Sequence, residues 1–158
     1  TNILGELGPY KIKDGDLKVL EFNCRFGDPE TQPILIRLKS SLVELCLAAI
    51  DDKLNSYSIN WSKKHACGVV IASKGYPESY DVDKEVRIKL NEENDLKLFH
   101  AGTKYVDDKI ITSGGRVFCA TALGNDLKEA QEKAYNLVNS VDFEGSFFRK
   151  DIGFKGIK

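Results

Sequence analysis

Three polar side chains alternate along one short stretch of the sequence, Glu21, Asn23 and Arg25, with apolar residues between them. Alternate side chains of a β-strand share a face, so these three are predicted to project to one side and the apolar residues to the other. A carboxylate, an amide and a guanidinium are costly to bury unless each has a partner. The pattern therefore predicts a strand whose polar face meets a ligand.

The chemistry of these side chains suits a metal ion and phosphates. The oxygen atoms of Glu21 and Asn23 are hard ligands of the kind that Mg²⁺ prefers, and the Arg25 guanidinium matches a carboxylate or a phosphate. Gly27 and the Asp28-Pro29 pair end the strand, because glycine permits a sharp turn and proline cannot continue a ladder of hydrogen bonds. We therefore expect Asp28 in a loop, where functional residues are concentrated.

The segment 21–32 resembles the signature segment of the phosphoribosylamine-glycine ligase (glycinamide ribonucleotide synthetase) family, which consists of ATP-grasp enzymes of purine biosynthesis. Similar blocks follow in order along the chain: Leu42-Val43-Glu44-Leu45, Gly68-Val69-Val70, Gly75-Tyr76-Pro77, Phe99-His100-Ala101-Gly102-Thr103, Gly114-Gly115-Arg116-Val117 and Arg149-Lys150-Asp151-Ile152-Gly153. Glu21 and Asn23 alone would also fit a solvated strand face. The ordered set of blocks favours the ligase interpretation.

This resemblance implies an enzyme that uses ATP to join glycine to 5-phosphoribosylamine, through glycyl phosphate, with release of ADP and phosphate. Glu21 and Asn23 would hold Mg²⁺ (or Mn²⁺), and ATP would be the co-substrate. Arg25 would steady the acyl phosphate or its carboxylate precursor, and Asp28 would bind an amine of either substrate, which makes both of them catalytic and substrate-binding residues. Two alternatives stay open: another ATP-grasp ligase, biotin-carboxylase-like or a purine carboxylase, and a non-catalytic module derived from the same fold.

Two later blocks contain glycine beside groups that bind anions. His100 and Thr103 offer a ring nitrogen and a hydroxyl, Gly102 lets the backbone approach a ligand, and Arg116 follows two glycines. We predict that His100, Gly102, Thr103 and Arg116 border the sugar phosphate of phosphoribosylamine. A lone histidine is more often a structural hydrogen-bonding residue, and Arg116 could equally pair with a surface carboxylate, so both alternatives remain.

The hydrophobic periodicity predicts an α+β fold. A hairpin is expected over residues 11–26, with Asp14-Gly15 as the turn between segments 11–13 and 17–20. Two helices or one kinked helix are expected over 30–54 as core scaffolding, with Ser40 or Ser41 as the cap of the second helix. Further strands are predicted at 67–72, 96–100, 103–106, 110–112 and 117–122, with a short exposed strand around Val86 and Ile88. Asp107-Asp108-Lys109 is predicted as a turn, and Asp126 is predicted to cap a helix over 126–141.

The resemblance implies that residues 1–60 end the ATP-grasp domain. Residues 61–158 would form a small antiparallel C-terminal domain with one packed helix. The upstream part of the same enzyme would carry the nucleotide-binding half, and the isolated chain is therefore expected to be inactive.

Composition restricts the partners that we expect. Among the 158 residues, 42% are hydrophobic and 30% charged, with a net charge of −1, which is ordinary for a globular protein. This balance provides no basic surface for nucleic acid, and no apolar run could span a bilayer. We therefore expect a cytoplasmic monomer that binds small molecules and neither nucleic acid nor membrane. The four widely spaced cysteines are predicted to be buried thiols: Cys24, Cys46, Cys67 and Cys119.

Overall fold

The structure is a computed structural model that describes residues 10–13, 16–19, 25–90 and 94–157. Strand β1 (Tyr10–Lys13) pairs antiparallel with β2 (Asp16–Val19), so the two strands of the predicted hairpin are confirmed. The predicted turn at Asp14-Gly15 lies outside the described residues. The same holds for the predicted strand segment that carries Glu21 and Asn23.

Two helices follow, as the change of period predicted: α1 (Thr31–Leu35) and α2 (Leu42–Ile50). Ser41 caps α2, because its hydroxyl oxygen accepts a hydrogen bond from the Glu44 backbone N–H at 3.3 Å. The Glu44 carboxylate does not complete a capping box in the described structure; it accepts from the Tyr57 hydroxyl at 2.8 Å. The prediction that α2 is core scaffolding is wrong for this chain, since none of its residues is buried.

The rest of the described chain alternates short and long strands around one long helix. Its elements are β3 (His65–Ser73), β4 (Arg87–Ile88), β5 (Leu96–His100), β6 (Thr103–Val106), β7 (Lys109–Thr112), β8 (Arg116–Gly124), α3 (Leu127–Val138), β9 (Val141–Asp142) and β10 (Ser146–Phe147). Within the described residues, β10, β3, β8 and β5 form a four-stranded antiparallel sheet in that order. The pairs β4–β9 and β6–β7 lie outside this sheet.

The core lies between this sheet and α3. In the antiparallel register Val69 is opposite Ala120 and Ile71 is opposite Phe118, so these four side chains share a face. They cluster with the buried face of the helix, which consists of Ala130, Ala134, Leu137 and Val138. Small residues on both sides let helix and sheet approach closely, as cores packed at crystal-like density require.

Helix α3 begins as predicted and ends earlier. The Asp126 carboxylate accepts from the Glu129 backbone N–H at 2.8 Å, and the Glu129 carboxylate accepts from the Asn125 N–H at 2.7 Å. The helix ends at Val138, and Val141 pairs instead with Ile88 in the short β4–β9 ladder. Val86, which directly precedes β4 and was predicted to be exposed, is buried in the core cluster.

The β6–β7 hairpin confirms a turn at the predicted Asp107-Asp108-Lys109 segment, although Lys109 already belongs to β7. Both aspartates have positive φ angles, 48° and 61°. Two such residues between strands make a type I′ turn, whose twist matches that of the strands.

The cysteine prediction is confirmed at two positions. Cys67 and Cys119 are buried, and the three described cysteines are free. Cys46 is exposed, contrary to the prediction, because it lies on helix α2, none of whose residues is buried. Cys24 lies outside the described residues. No helix in the described ranges has the length and apolar character needed to cross a membrane.

Candidate functional site

The loop before α1 carries the two predicted catalytic residues that the structure describes. Arg25 is exposed, and its Nη1 donates to the carbonyl of Phe26 at 3.1 Å. At the start of α1, the backbone N–H and the hydroxyl of Thr31 both donate to the Gly27 carbonyl, at 3.0 and 2.5 Å. These bonds tie the loop to the helix, while the Arg25 side chain remains open to solvent.

An ion pair joins the loop to the sheet. The sequence allowed a carboxylate partner for Arg116 but did not identify it. Arg116 Nη2 lies 3.0 Å from Asp28 Oδ2, and Arg116 Nη1 donates to the Asp28 carbonyl at 3.1 Å. The two side chains are 36% and 52% exposed. The Arg116 guanidinium carbon also lies 5.9 Å from the centre of the Tyr76 ring, within the range of a cation–π contact. The structure thus brings together two predicted site residues that are 88 positions apart in the chain.

Three glycines allow the segments around Arg116 to approach closely. The Gly102 N–H donates to the Arg116 carbonyl at 2.8 Å. A Cβ atom on Gly102 would lie 2.7 Å from that oxygen and 2.7 Å from the Cα of Gly114, which is too close. A Cβ atom on Gly115 would lie 2.2 Å from the Tyr76 ring. The space that Gly102 was predicted to leave for a ligand is therefore used to pack two backbone segments together.

His100 and Thr103 form a separate part of the predicted site. His100 Nδ1 lies 3.0 Å from the Thr103 hydroxyl oxygen, and its ring makes an edge contact with Phe118 at 4.8 Å between centres. His100 lines a cavity of about 570 Å³ together with Leu96 and Leu98. Arg116 lines a different cavity. These contacts fit a structural hydrogen-bonding role for His100. The contact of His100 with a sugar phosphate stays a prediction.

The cavity beside Arg116 has a volume of about 300 Å³ and mostly apolar walls. Its lining includes Pro29 from the loop, Gly68 and Val70 from β3, Tyr76, and Phe147 from β10. Sequence reasoning did not assign Pro29 or Tyr76 to a site. Tyr76 could have been found from the Gly75-Tyr76-Pro77 block, which is one of the segments that resemble the family.

Helix α1 lies close to the sheet beside this cavity. A Cβ atom on Gly68 would lie 3.3 Å from Pro33 of α1 and 3.3 Å from the Cys119 sulfur. Gly68 lies next to Val69 in the strand, so its face is the one opposite the α3 core. The absence of a side chain at this position therefore lets α1 approach the outer face of the sheet.

The predicted metal ligands have no described geometry. Glu21 and Asn23 lie outside the described residues, and the described ranges contain no cluster of three or more His, Cys, Asp or Glu side chains that could hold a metal ion. The donor chemistry of a carboxylate and an amide oxygen nevertheless fits Mg²⁺.

The arrangement of helices and strands defines the structural class of the protein. Antiparallel sheets with helix α3 packed on the main sheet make an α+β protein, which confirms the predicted class. Residues 66–155 match the family described as Phosphoribosylglycinamide synthetase, C domain. The chain belongs to this family, and the resemblance seen in the sequence is confirmed.

Curated relatives are similar over nearly the whole chain. The phosphoribosylamine–glycine ligase of Salmonella typhimurium is 55% identical over 148 residues, and that of Escherichia coli K12 is 50% identical over 148 residues. Each alignment covers 92% of this chain and 34% of the relative, so the chain spans about a third of the relatives' length. The crystal structure of the phosphoribosylamine–glycine ligase of Thermotoga maritima matches 90% of this chain and 35% of that one, with a TM-score of 0.67 and 34% identity.

Proposed function

We propose that this chain is the C-terminal part of an ATP-dependent ligase that joins glycine to 5-phosphoribosylamine in purine biosynthesis. The observation that carries the proposal is the 55% identity, over 92% of the chain, with a protein named phosphoribosylamine–glycine ligase. The products would be glycinamide ribonucleotide, ADP and phosphate. Residues 1–60 would end the ATP-grasp domain and residues 61–158 would form the C-terminal domain. The complete protein would act as a cytoplasmic monomer, and this chain alone would be inactive.

The residues before and in the loop would serve the phosphoryl-transfer step. Glu21 and Asn23 would hold Mg²⁺ (or Mn²⁺), which when bound neutralises charge on the ATP phosphates. Arg25 would bind the glycine carboxylate and then the glycyl phosphate formed from it. The exposure of its side chain supports this role, because the guanidinium is accessible to an anion. Positioning and charge neutralisation are the main requirements of phosphoryl transfer.

The residues at the end of the sheet would serve the second substrate. Asp28 would bind the amine, and Arg116, Gly102, Thr103 and His100 would border the sugar phosphate. The position of Arg116 at a cavity supports this assignment, since a partly exposed guanidinium can bind phosphate through two parallel hydrogen bonds.

The test uses the complete ligase with ATP, glycine and phosphoribosylamine, and follows ADP release together with the nucleotide product. Replacing Glu21 with glutamine (Glu21→Gln) should abolish turnover while the far-UV circular dichroism stays unchanged, because the substitution removes one negative charge facing the metal. Glu132→Gln is the matched control, since Glu132 is an exposed carboxylate on α3 whose ion pair with Lys128 is long, at 4.0 Å. Near-normal turnover of Glu21→Gln would refute the metal role.

The same assay separates the alternatives. A carboxylase of the ATP-grasp type would release ADP with bicarbonate and would not require glycine. A non-catalytic module would release no ADP with any of these substrates.

A further inference from the structure

We infer that phosphoribosylamine binds by exchanging the ion pair between Asp28 and Arg116. The substrate phosphate takes the place of the Asp28 carboxylate on the guanidinium, the ribose occupies the adjacent cavity, and the released carboxylate becomes available to the amine. This inference rests on the proposed function and specifies how its sugar phosphate is recognised.

The ion pair has the properties of a contact that a ligand can replace. Both side chains are partly exposed, and exposed ion pairs contribute little net stability. A phosphate carries more negative charge than a carboxylate and offers several oxygen atoms to the two Nη groups. Asp28 therefore holds the guanidinium in place without binding it as strongly as a phosphate would.

The cavity next to the guanidinium provides space for the rest of the substrate. Its volume of about 300 Å³ is within the range of small-molecule sites, and Arg116 is one of the few polar side chains in its wall. Tyr76 contributes an aromatic face beside the guanidinium, and Pro29 brings the wall next to Asp28. One ligand in this cavity would thus reach both Arg116 and the loop that carries Asp28.

The spacing of the substrate's polar groups agrees with this exchange. In phosphoribosylamine the amine is bonded to C1 of the ribose and the phosphate is carried on C5, so the ring lies between them, whereas Arg116 Nη2 and Asp28 Oδ2 are 3.0 Å apart. A phosphate bound at Nη2 therefore occupies the place of Oδ2, and the Asp28 carboxylate is released toward the amine.

Binding of ribose 5-phosphate to the complete ligase tests this exchange, because this compound has the phosphate but no amine. Calorimetry without ATP should show that Asp28→Asn tightens binding by about two- to fivefold, the effect of removing an exposed competing partner. Arg116→Lys should weaken binding by roughly tenfold, because lysine cannot offer two parallel donors. Unchanged or weaker binding by Asp28→Asn would overturn the exchange. If that variant does not fold, Asp28→Ala provides the same comparison.

The matched control is Asp83→Asn. Asp83 carries the same charge and pairs with Lys104, and neither residue is in the described wall of this cavity. Affinity for ribose 5-phosphate should stay unchanged; tightening equal to that of Asp28→Asn would show a general charge effect and overturn the exchange. Product formation is measured separately: if binding follows the expected pattern and no glycinamide ribonucleotide forms, the proposed function fails and the exchange of the ion pair stands.

Discussion

At the scale of single residues, burial separates the described cysteines into two groups. Cys67 and Cys119 lie in the sheet, where burial raises the pKa of both thiols. Cys46 is exposed on α2. Because the thiolate is the reactive form, a buried thiol with a raised pKa has a smaller reactive fraction and less access to reagents.

We therefore predict that iodoacetamide at neutral pH modifies Cys46 much faster than Cys67 or Cys119 in this chain. Peptide mass spectrometry after timed quenching measures the three rates. In urea, the rates at Cys67 and Cys119 should rise toward that of Cys46, because unfolding removes the protection. Similar rates at all three positions without urea would contradict the described burial.

The sequence predicted which chemistry a side chain can perform better than it predicted which residue that side chain contacts. The types of Asp28 and Arg116 indicated anion and amine binding, and a surface carboxylate partner for Arg116 was an open alternative. The identity of that carboxylate could not be predicted, because it depends on how α1 and the loop before it sit against the sheet. Tyr76 was missed for the same reason, since its role depends on the close approach allowed by Gly115.

At the scale of elements, α3 has a clear helical pattern of apolar residues in the sequence, and the structure shows both its buried face and its predicted cap. Its Asp126 cap satisfies a backbone N–H that has no partner within the helix. Asp126→Ala should lower the free energy of unfolding of this chain by about 1 kcal/mol, the usual effect of losing such a cap. Urea denaturation followed by circular dichroism measures the change. Lys128→Ala, at a position 69% exposed in the same helix, should change stability by less than about 0.5 kcal/mol; equal effects of the two substitutions would contradict the capping role.

Long or strongly patterned elements were predictable, and the two-residue strands β9 and β10 were not. The bounds predicted for β5 and β6 agree with the structure, because alternation and turn residues both mark them. Strands β9 and β10 have two residues each and form only where other strands present free backbone groups. Val141 continued the helical pattern in the sequence, yet it pairs with β4, because tertiary contacts override a local preference at the end of a helix.

At the scale of the whole molecule, a group of exposed large apolar side chains lies between residues 42 and 61 of the chain. We call this the α2 surface, and it consists of Leu42, Val43, Leu47, Ile50, Leu54, Ile59 and Trp61. Monomeric proteins rarely expose large contiguous apolar areas. In the function proposed above, the chain is about a third of a longer ligase, and we expect the remaining part of that ligase to cover this surface.

This expectation gives a prediction for the chain alone. The chain should bind the dye ANS and associate as its concentration rises, because association removes the α2 surface from water. Val43 and Ile50 are the most exposed members, at 69% and 80%. Replacing both (Val43→Glu with Ile50→Glu) should reduce dye fluorescence and keep the chain monomeric in analytical ultracentrifugation. In the complete ligase the same pair should lower the melting temperature, since two charges would then be buried without partners.

The control uses exposed apolar residues outside the α2 surface. Tyr105 and Val106 on β6 are 70% and 41% exposed, and glutamates there add the same charge to a different element. Tyr105→Glu with Val106→Glu should leave both the dye signal of the chain and the melting temperature of the complete ligase nearly unchanged. If the α2 substitutions are equally harmless in the complete ligase, α2 is open to solvent there as well, and its apolar residues require a partner other than the rest of the enzyme.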